Sequence, residues 1–139
     1  FLSAITAAFK HGTEVVVEES IEGREMTCGV CRDKEGVKVL PVTEIISENE
    51  YFDYDAKYNG KSKEITPAEL DDEATIEIQS LTIKIYGILG MKGIARIDYI
   101  ISKENTPYVI EINSVPGMSN ESIVPQMIKH EGLRIENII

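Results

Sequence analysis

The chain has 139 residues, of which 42% are apolar and 27% are charged, a composition that favours one folded domain and excludes wholesale disorder. Its 14 lysines and arginines against 24 aspartates and glutamates leave a formal net charge of −10, which argues against broad binding to nucleic acid or to an acidic membrane because both need a basic surface. Its apolar runs are far shorter than the roughly 20 residues of a membrane-spanning helix. The chain starts at Phe1 rather than at a methionine, and we expect it to be part of a longer protein.

Two local patterns open the chain. Apolar residues recur at helical spacing over residues 2–10, and Gly12 is a typical stop, so the first element is predicted to be a helix. The run Val15-Val16-Val17 then predicts a buried strand over residues 13–19.

A hairpin with two cysteines follows. Residues 25–32 and 37–46 are predicted to be strands joined by a loop at 33–36. Cys28 and Cys31 are three residues apart, so on a strand they face opposite sides and cannot share a metal or an unstrained disulfide. We interpret them as small buried hydrophobic residues kept reduced in a cytosolic protein, and a redox pair or half of a zinc site is the alternative.

A long polar stretch over residues 47–67 is predicted to be a loop, and four aromatic residues within it argue against simple disorder. Loops of this length in compact domains are usually functional. Asp71 or Asp72 is then predicted to cap a helix that runs to Leu89. Its predicted apolar stripe consists of Ala74, Ile78, Leu81, Ile85, Ile88 and Leu89.

The last part of the chain is predicted to hold another hairpin and a helix. Residues 93–102 and 107–113 form the strands, 114–120 a Pro-Gly loop and 121–131 the helix, and residues 133–139 begin one more helix. Helices therefore mix with hairpin-connected strands, which predicts an α+β fold with a mainly antiparallel sheet.

The second hairpin concentrates acidic and amide side chains. A symmetric hairpin places Asp98 opposite Glu111, and it also places Arg96 opposite Asn113. Directly opposed carboxylates repel by up to ~1 kcal/mol, and a hard cation such as Mg²⁺, which prefers carboxylate and amide oxygens, is the natural compensation. A solvated polar face on which Arg96 forms a cross-strand pair is the alternative interpretation.

The segment after this hairpin favours anion binding. A loop of small residues, 114–119, leads into a helix whose start holds Asn120, Glu121 and Ser122. Such a loop presents free backbone N–H groups, and the helix start adds positive dipole. Oxygen ligands for a metal beside an anion site indicate chemistry on phosphates and carboxylates together.

Four motifs in this order resemble the D-alanine–D-alanine ligases, a family of ATP-grasp enzymes. The resemblance covers nearly the whole chain and implies the C-terminal part of the ATP-grasp catalytic domain, residues 1–139, with the N-terminal substrate domain and the upstream nucleotide-clamping half lying outside it. The matching residues are Glu18-Glu19 with Gly23-Arg24-Glu25, Tyr54-Asp55-Ala56-Lys57-Tyr58, Arg96-Ile97-Asp98, and Glu111-Ile112-Asn113-Ser114-Val115-Pro116-Gly117-Met118.

The resemblance implies a nucleotide site built from the first two motifs. Glu18 is expected to bond the adenine amino group, with backbone atoms of Glu19 and Ile21 completing the adenine contacts. Glu25 is expected to hold the ribose hydroxyls, and Lys57 to reach the terminal phosphate. Without the resemblance, the acids read as an exposed hairpin edge and Lys57 as a loop lysine.

The resemblance also implies the metal ligands and the residue that stabilises the intermediates. Asp98, Glu111 and Asn113 are expected to bind two Mg²⁺ ions, with Mn²⁺ a possible replacement. Arg96 is expected to stabilise the acyl phosphate and the tetrahedral intermediate.

The remaining implied roles concern the second substrate and loop closure. Tyr58 is expected to help close the long loop over the site, and it favours D-alanine over D-lactate as second substrate. The Gly117 N–H is expected to donate to the oxyanion, while Ser122 and the backbone at Ile123 hold the carboxylate of the second D-alanine.

The implied reaction joins two D-alanines into D-alanyl-D-alanine for peptidoglycan synthesis, through a D-alanyl phosphate made with ATP. The full-length enzyme is expected to be a cytoplasmic homodimer, and the 139-residue chain alone is expected to fold but to have little or no activity. The alternatives are an ATP-grasp carboxylate–amine ligase with other substrates, or a non-catalytic module that binds Mg-nucleotide.

Overall fold

The structure is a computed structural model that describes residues 1–47 and 62–138. Its strands form one antiparallel sheet in the order β3-β2-β1-β4-β5, so the predicted fold class is confirmed. In chain order the elements are α1 (Leu2–Ala8), β1 (Gly23–Arg32), β2 (Val37–Ser47), β3 (Ser62–Ile65), α2 (Asp72–Ile88), β4 (Ile94–Ser102), β5 (Pro107–Asn113), α3 (Ile123–His130) and a 3₁₀ turn at Ile135–Asn137.

The helix α2 covers one face of the sheet. Side chains alternate along a strand, so every second residue of β1 and β4 points towards this helix. Ile78 of α2 packs there against Met26, Cys28, Ile97 and Tyr99, all of them buried. This layer forms the larger part of the core.

The helix α3 covers part of the opposite face. Val124 and Met127 pack against Cys31 of β1 and Leu40 of β2. A Cβ on Gly29 would lie 2.7 Å from Leu40 Cδ1 and 3.1 Å from Met127 Sδ. The missing side chain therefore leaves the space in which α3 approaches the sheet, on the face that also carries Arg96 and Asp98.

The two cysteines are buried and free, as predicted. Cys28 packs in the layer under α2 and Cys31 in the layer under α3, which puts them on opposite faces of β1. Burial raises the pKa of Cys28 to about 12, so its thiol stays protonated at neutral pH.

The helix α2 begins where the sequence predicts. Asp71 caps it by accepting a hydrogen bond from the Ala74 N–H at 2.8 Å. Its apolar stripe is only partly as predicted, because Ile88 and Leu89 are exposed and the buried side is formed by residues four apart: Ile78, Thr82 and Tyr86. Ile88 lies about 200° around the helix from Tyr86 and thus points away from the sheet.

Three other element predictions are corrected. Residues 13–19 are not a strand: Val16 is 82% exposed, and the β-branched run reflects local propensity without a pairing partner among the described residues. The predicted loop 47–67 contains β3, which pairs with β2, while residues 48–61 lie outside the described residues. The predicted final helix is one 3₁₀ turn, Ile135–Asn137.

Among the described residues, no helix combines the length and the apolar character needed to cross a membrane.

Candidate active site

The β4–β5 hairpin brings the predicted metal ligands together. Asp98 pairs with Glu111, and Arg96 pairs with Asn113, both as predicted. A register shift follows directly, because Tyr99 pairs with Val109. The symmetric hairpin is therefore wrong on the side of the turn, where a bulge adds one residue to β5, and correct on the side that carries the site.

Asp98 is held by two neighbouring side chains. The Arg96 guanidinium donates from Nε to Asp98 Oδ1 at 2.8 Å and from Nη2 to Oδ2 at 2.7 Å. The Thr27 hydroxyl donates to Oδ1 at 2.6 Å. The side chains of Arg96 and Asp98 are 15% and 19% exposed, so this cluster is shielded but reachable from solvent.

The charges around Arg96 determine its protonation. Burial by itself would lower the pKa of Arg96, but the hydrogen bond to Asp98 and the negative charges of Asp98, Glu111 and Glu64 raise that pKa above its ordinary value. Arg96 is thus a permanent cation at the end of a hairpin that carries two carboxylates.

The oxygen donors suit a hard divalent cation. Glu111 is exposed, and Asn113 is half-buried, with its Oδ1 accepting a hydrogen bond from the Val115 N–H at 3.1 Å. Asp98 and Glu111 together carry two negative charges against one positive charge on Arg96, so one negative charge is left over. Two carboxylates and an amide oxygen are the ligands that Mg²⁺ takes from proteins when substrate phosphates complete its shell. In the part of the chain that the structure describes, no set of three or more His, Cys, Asp or Glu side chains forms a metal site without such help.

The loop after β5 brings Gly117 to Ser122 at the start of α3. A Cβ on Gly117 would lie 2.9 Å from Ser122 Oγ, so the two residues are in direct contact. Ser122 Oγ also lies 2.8 Å from Ser119 Oγ, and it makes no capping hydrogen bond to the helix that it precedes. The N–H groups of the first turn of α3 are therefore not capped by this side chain.

The residues of the expected nucleotide site lie at the start of β1 and in the segment that precedes it. Glu18 is exposed, and Glu19 and Ile21 line a groove of about 370 Å³ that also includes Tyr108 of β5. Glu25 is half-buried in β1 and shares a face with Thr27. Glu25 pairs with Ile100 of β4, which lies two residues from Asp98.

Two expected site residues, Lys57 and Tyr58, lie outside the described residues.

A second groove, of about 1240 Å³, runs beside α3 and is lined by Glu64, Gln126 and Arg134 among others. Asn120 and Glu121, from the predicted start of the last helix, line this groove, but the expected metal, nucleotide and substrate residues do not, so cavity size alone does not locate the site.

Sequence reasoning missed Thr27. It is one of many threonines in the chain, and its contact with Asp98 depends on the pairing of β1 with β4, between residues 71 positions apart. Its place on a predicted strand, two residues from Glu25, was the one local signal that it shares a face with site residues.

A family model described as D-ala D-ala ligase C-terminus matches residues 1–139. The chain belongs to this family. The D-alanine--D-alanine ligase of Porphyromonas gingivalis strain W83 is 46% identical over 138 residues, which is 99% of this chain and 42% of that protein. The D-alanine--D-alanine ligase of Parabacteroides distasonis is 48% identical over 137 residues, which is 98% of this chain and 41% of that protein.

Solved structures related to this family share the fold. The VanG D-Ala:D-Ser ligase from Enterococcus faecalis superposes with a TM-score of 0.83 at 38% identity, over 98% of this chain and 40% of that one. The Bacillus anthracis D-alanine--D-alanine ligase complexed with ATP superposes with a TM-score of 0.79 at 28% identity, over 99% of this chain and 42% of that one. The chain thus spans about two fifths of the length of the proteins that it matches.

Proposed function

We propose that the full-length protein containing this chain joins two D-alanines into D-alanyl-D-alanine with ATP, as a step in making peptidoglycan precursors. A carboxylate oxygen of the first D-alanine attacks the γ-phosphorus of ATP, which releases ADP and forms D-alanyl phosphate. The amine of the second D-alanine then attacks the acyl carbon, and inorganic phosphate leaves. The observation that carries this proposal is the pairing of Asp98 with Glu111 beside Arg96, in a chain of this family.

The metal ligands in this proposal are Asp98, Glu111 and Asn113. These oxygens would hold two Mg²⁺ ions, which would supply positive charge to the phosphate oxygens. Mn²⁺ also prefers carboxylate and carbonyl oxygen ligands, and we expect it to support the reaction. The excess negative charge of the hairpin supports the binding of a divalent cation.

Arg96 has donors left for the substrate. A guanidinium carries five N–H donors, and Asp98 takes two of those on Arg96. Within the described part of the chain three remain, and we assign them to the oxygens of the acyl phosphate and of the tetrahedral intermediate. The bond to Asp98 keeps the guanidinium in place before the reaction, so little reorganisation accompanies the charge change.

Gly117 and Ser122 serve the acyl group and the second substrate. The Gly117 N–H donates to the oxyanion, and Ser122 with the Ile123 backbone holds the carboxylate of the second D-alanine. Support for these roles comes from the contact between Gly117 and Ser122 and from the uncapped start of α3.

We assign the nucleotide-binding residues from the family motifs. Glu18 binds the adenine amino group, the backbone of Glu19 and Ile21 completes the adenine contacts, and Glu25 holds the ribose. Lys57 reaches the terminal phosphate. The groove lined by Glu19 and Ile21 supports the adenine position.

Tyr58 contributes to closure of the long loop. A closed loop excludes water, which would otherwise hydrolyse the acyl phosphate.

We further propose a cytoplasmic homodimer for the full-length enzyme. Two buried, free thiols agree with a reducing compartment, and light scattering of the purified enzyme checks its mass.

A substrate panel tests the reaction. Full-length protein is incubated with ATP, Mg²⁺ and D-alanine, with D-alanine plus D-serine, and with D-alanine plus D-lactate, and phosphate release is measured together with the product mass. We expect D-alanyl-D-alanine to form fastest. Faster formation of D-alanyl-D-serine would favour the second candidate, a D-Ala:D-Ser ligase, which the similarity to VanG supports. Phosphate release only with other acids or amines would point to a different ATP-grasp ligase, and no release at all to a nucleotide-binding module.

A further inference from the structure

Thr27 differs from the other fully buried threonines in what it binds. Thr27, Thr43 and Thr82 are each 0% exposed. Thr43 shares its hydrogen bond with the hydroxyl of Thr66, and Thr82 donates to the Ile78 carbonyl. Thr82 also shares a hydrogen bond with the Tyr99 hydroxyl at 2.7 Å. Thr27 differs from both because it donates to a carboxylate, that of Asp98.

The distances show where the Thr27 proton goes. Thr27 Oγ1 lies 2.6 Å from Asp98 Oδ1 and 3.5 Å from the Ile97 carbonyl oxygen. A hydroxyl has one proton to donate, and a short O–H···O⁻ bond is the stronger of the two. The hydroxyl is therefore committed to the carboxylate.

This bond changes what Asp98 can offer to a metal. Each carboxylate oxygen has two lone-pair sites. Oδ1 accepts from both Thr27 and Arg96 Nε, whereas Oδ2 accepts, among the described residues, from Arg96 Nη2 only. One site on Oδ2 is left by these contacts, so the bound hydroxyl fixes the carboxylate while leaving Oδ2 available as a single ligand atom.

We propose that Thr27 is a positioning residue for the metal site: its buried hydroxyl holds the Asp98 carboxylate in the orientation that binds the divalent cation. This inference rests on the proposed function, because that function assigns Asp98 as a ligand. Groups that orient a metal ligand through hydrogen bonds usually change metal affinity or activity 10–100-fold when they are removed. Thr27 is held rigidly enough for this task, since β1 lies at the centre of the sheet between β2 and β4.

The test uses the full-length protein with a non-hydrolysable ATP analogue and Mn²⁺, whose dissociation constant is measured by electron paramagnetic resonance. Thr27→Val removes the hydroxyl and keeps the shape, and Thr27→Ser restores the hydroxyl. Thr43→Val is the matched control, because Thr43 is equally buried and is the register partner of Thr27 on β2. Asp98→Asn tests the ligand itself, and thermal melting is recorded for all variants.

We expect Thr27→Val to weaken Mn²⁺ binding at least tenfold, Thr27→Ser to restore most of the affinity, and Thr43→Val to bind Mn²⁺ like the parent. Should Thr27→Val fail to fold, Thr27→Ala against Thr27→Ser makes the same comparison, because alanine lacks the hydroxyl that serine keeps. If Thr27→Val and Thr43→Val bind Mn²⁺ equally well while Asp98→Asn binds it more weakly, the positioning role of Thr27 is wrong. The metal site of the proposed function then still stands. Unchanged affinity in Asp98→Asn as well overturns both this inference and the metal site of the proposed function.

Discussion

At the scale of single residues, the site is an arrangement of unequal charges. Arg96 neutralises Asp98 through two hydrogen bonds, while Glu111 acts on Arg96 through its charge and stays exposed. In the proposed function, Asp98 is thus a preformed ligand, whereas Glu111 is the carboxylate whose repulsion would be relieved when a cation binds. The two acids, although they are register partners, should respond differently to substitution.

Glu111→Gln in the full-length enzyme is expected to abolish dipeptide formation without unfolding the protein. The side chain is exposed, and exposed substitutions usually change the free energy of unfolding by no more than ~0.5 kcal/mol. The measurements are the ligation rate and urea denaturation. Glu77→Gln, an exposed change on α2 across the sheet, serves as control and should leave both unchanged. Near-normal turnover of Glu111→Gln would remove the metal hypothesis.

The buried thiol of Cys28 leads to a prediction about the free energy of unfolding at alkaline pH. Burial raises the pKa of its thiol from 9.0 to about 12, so the folded state keeps a proton that the unfolded chain loses above pH 9. Its contribution to stability is therefore complete below pH 9 and is lost between pH 9 and 12, at roughly 1 kcal/mol per pH unit. In Cys28→Ala, the free energy of unfolding should fall less steeply with pH over that window, measured by urea denaturation.

The control for this prediction is Val30→Ala, which empties a similar space on the same strand without removing a titrating group. Its stability should fall in parallel with that of the parent as pH rises. Parallel curves for Cys28→Ala as well would show that the thiol does not contribute to the pH dependence. Tyr99, whose pKa burial also raises to about 12, would then be the group to test.

At the scale of elements, the two longer helices pack on opposite faces of the sheet, and the β4–β5 hairpin carries the site residues on one of these faces. The helix α2 closes the core on one face, which leaves the other face of β4 free for Arg96 and Asp98. The helix α3 packs on that second face and thereby brings Ser122 and Gly117 to the same side of the sheet as Asp98. The site thus lies on the sheet face that α3 covers only in part.

The start of α2 provides a test at this scale. Asp71→Ala removes the side-chain acceptor for the Ala74 N–H, and we expect the free energy of unfolding to fall by about 1 kcal/mol. Asp72→Ala, its neighbour in the first turn, loses only a charge near the helix start and should cost about 0.5 kcal/mol or less. Denaturant unfolding of both variants checks this, and equal losses would show that the cap bond adds nothing.

At the scale of the whole molecule, we expect the chain to supply one side of the proposed site. The proposed metal ligands and anion-binding donors come from one sheet face, and the chain spans about two fifths of the length of its relatives. We expect the 139-residue chain alone to form little or no D-alanyl-D-alanine and to bind Mg-ATP more weakly than the full-length protein does. Coupled phosphate release and isothermal titration calorimetry measure both. A dipeptide rate close to that of the full-length enzyme would contradict this.

The acidic balance of the chain has a place in this picture. Two of its 24 acids, Asp98 and Glu111, are the proposed metal ligands, and Arg24 binds a third, Glu44, at 2.7 Å on the other face of the sheet. The net charge argues against broad binding to nucleic acid or to an acidic membrane, and it is compatible with ATP because a divalent cation and Arg96 would supply the opposing charge.

Most of the elements and the pairing of Asp98 with Glu111 could be predicted from the sequence, because alternation, caps and turn residues act over a few positions. The exceptions depended on distant partners. Val16 has the propensity for a strand but stays exposed, and β3 is a strand because β2 offers it an edge. The bulge after Asp98 could not be predicted either, since it is set by how β5 fits against β4.

Local chemistry thus specified the α+β class, the hairpins, the cap at Asp71 and the residue types of the site. Tertiary structure alone decided the order β3-β2-β1-β4-β5, the placement of α2 and α3 on opposite faces, and the hydrogen bond between Thr27 and Asp98. The physical reason is range: a cap or a turn is stabilised by neighbours in the chain, whereas a contact across 71 residues forms only when separate strands pair and a shared core holds them together.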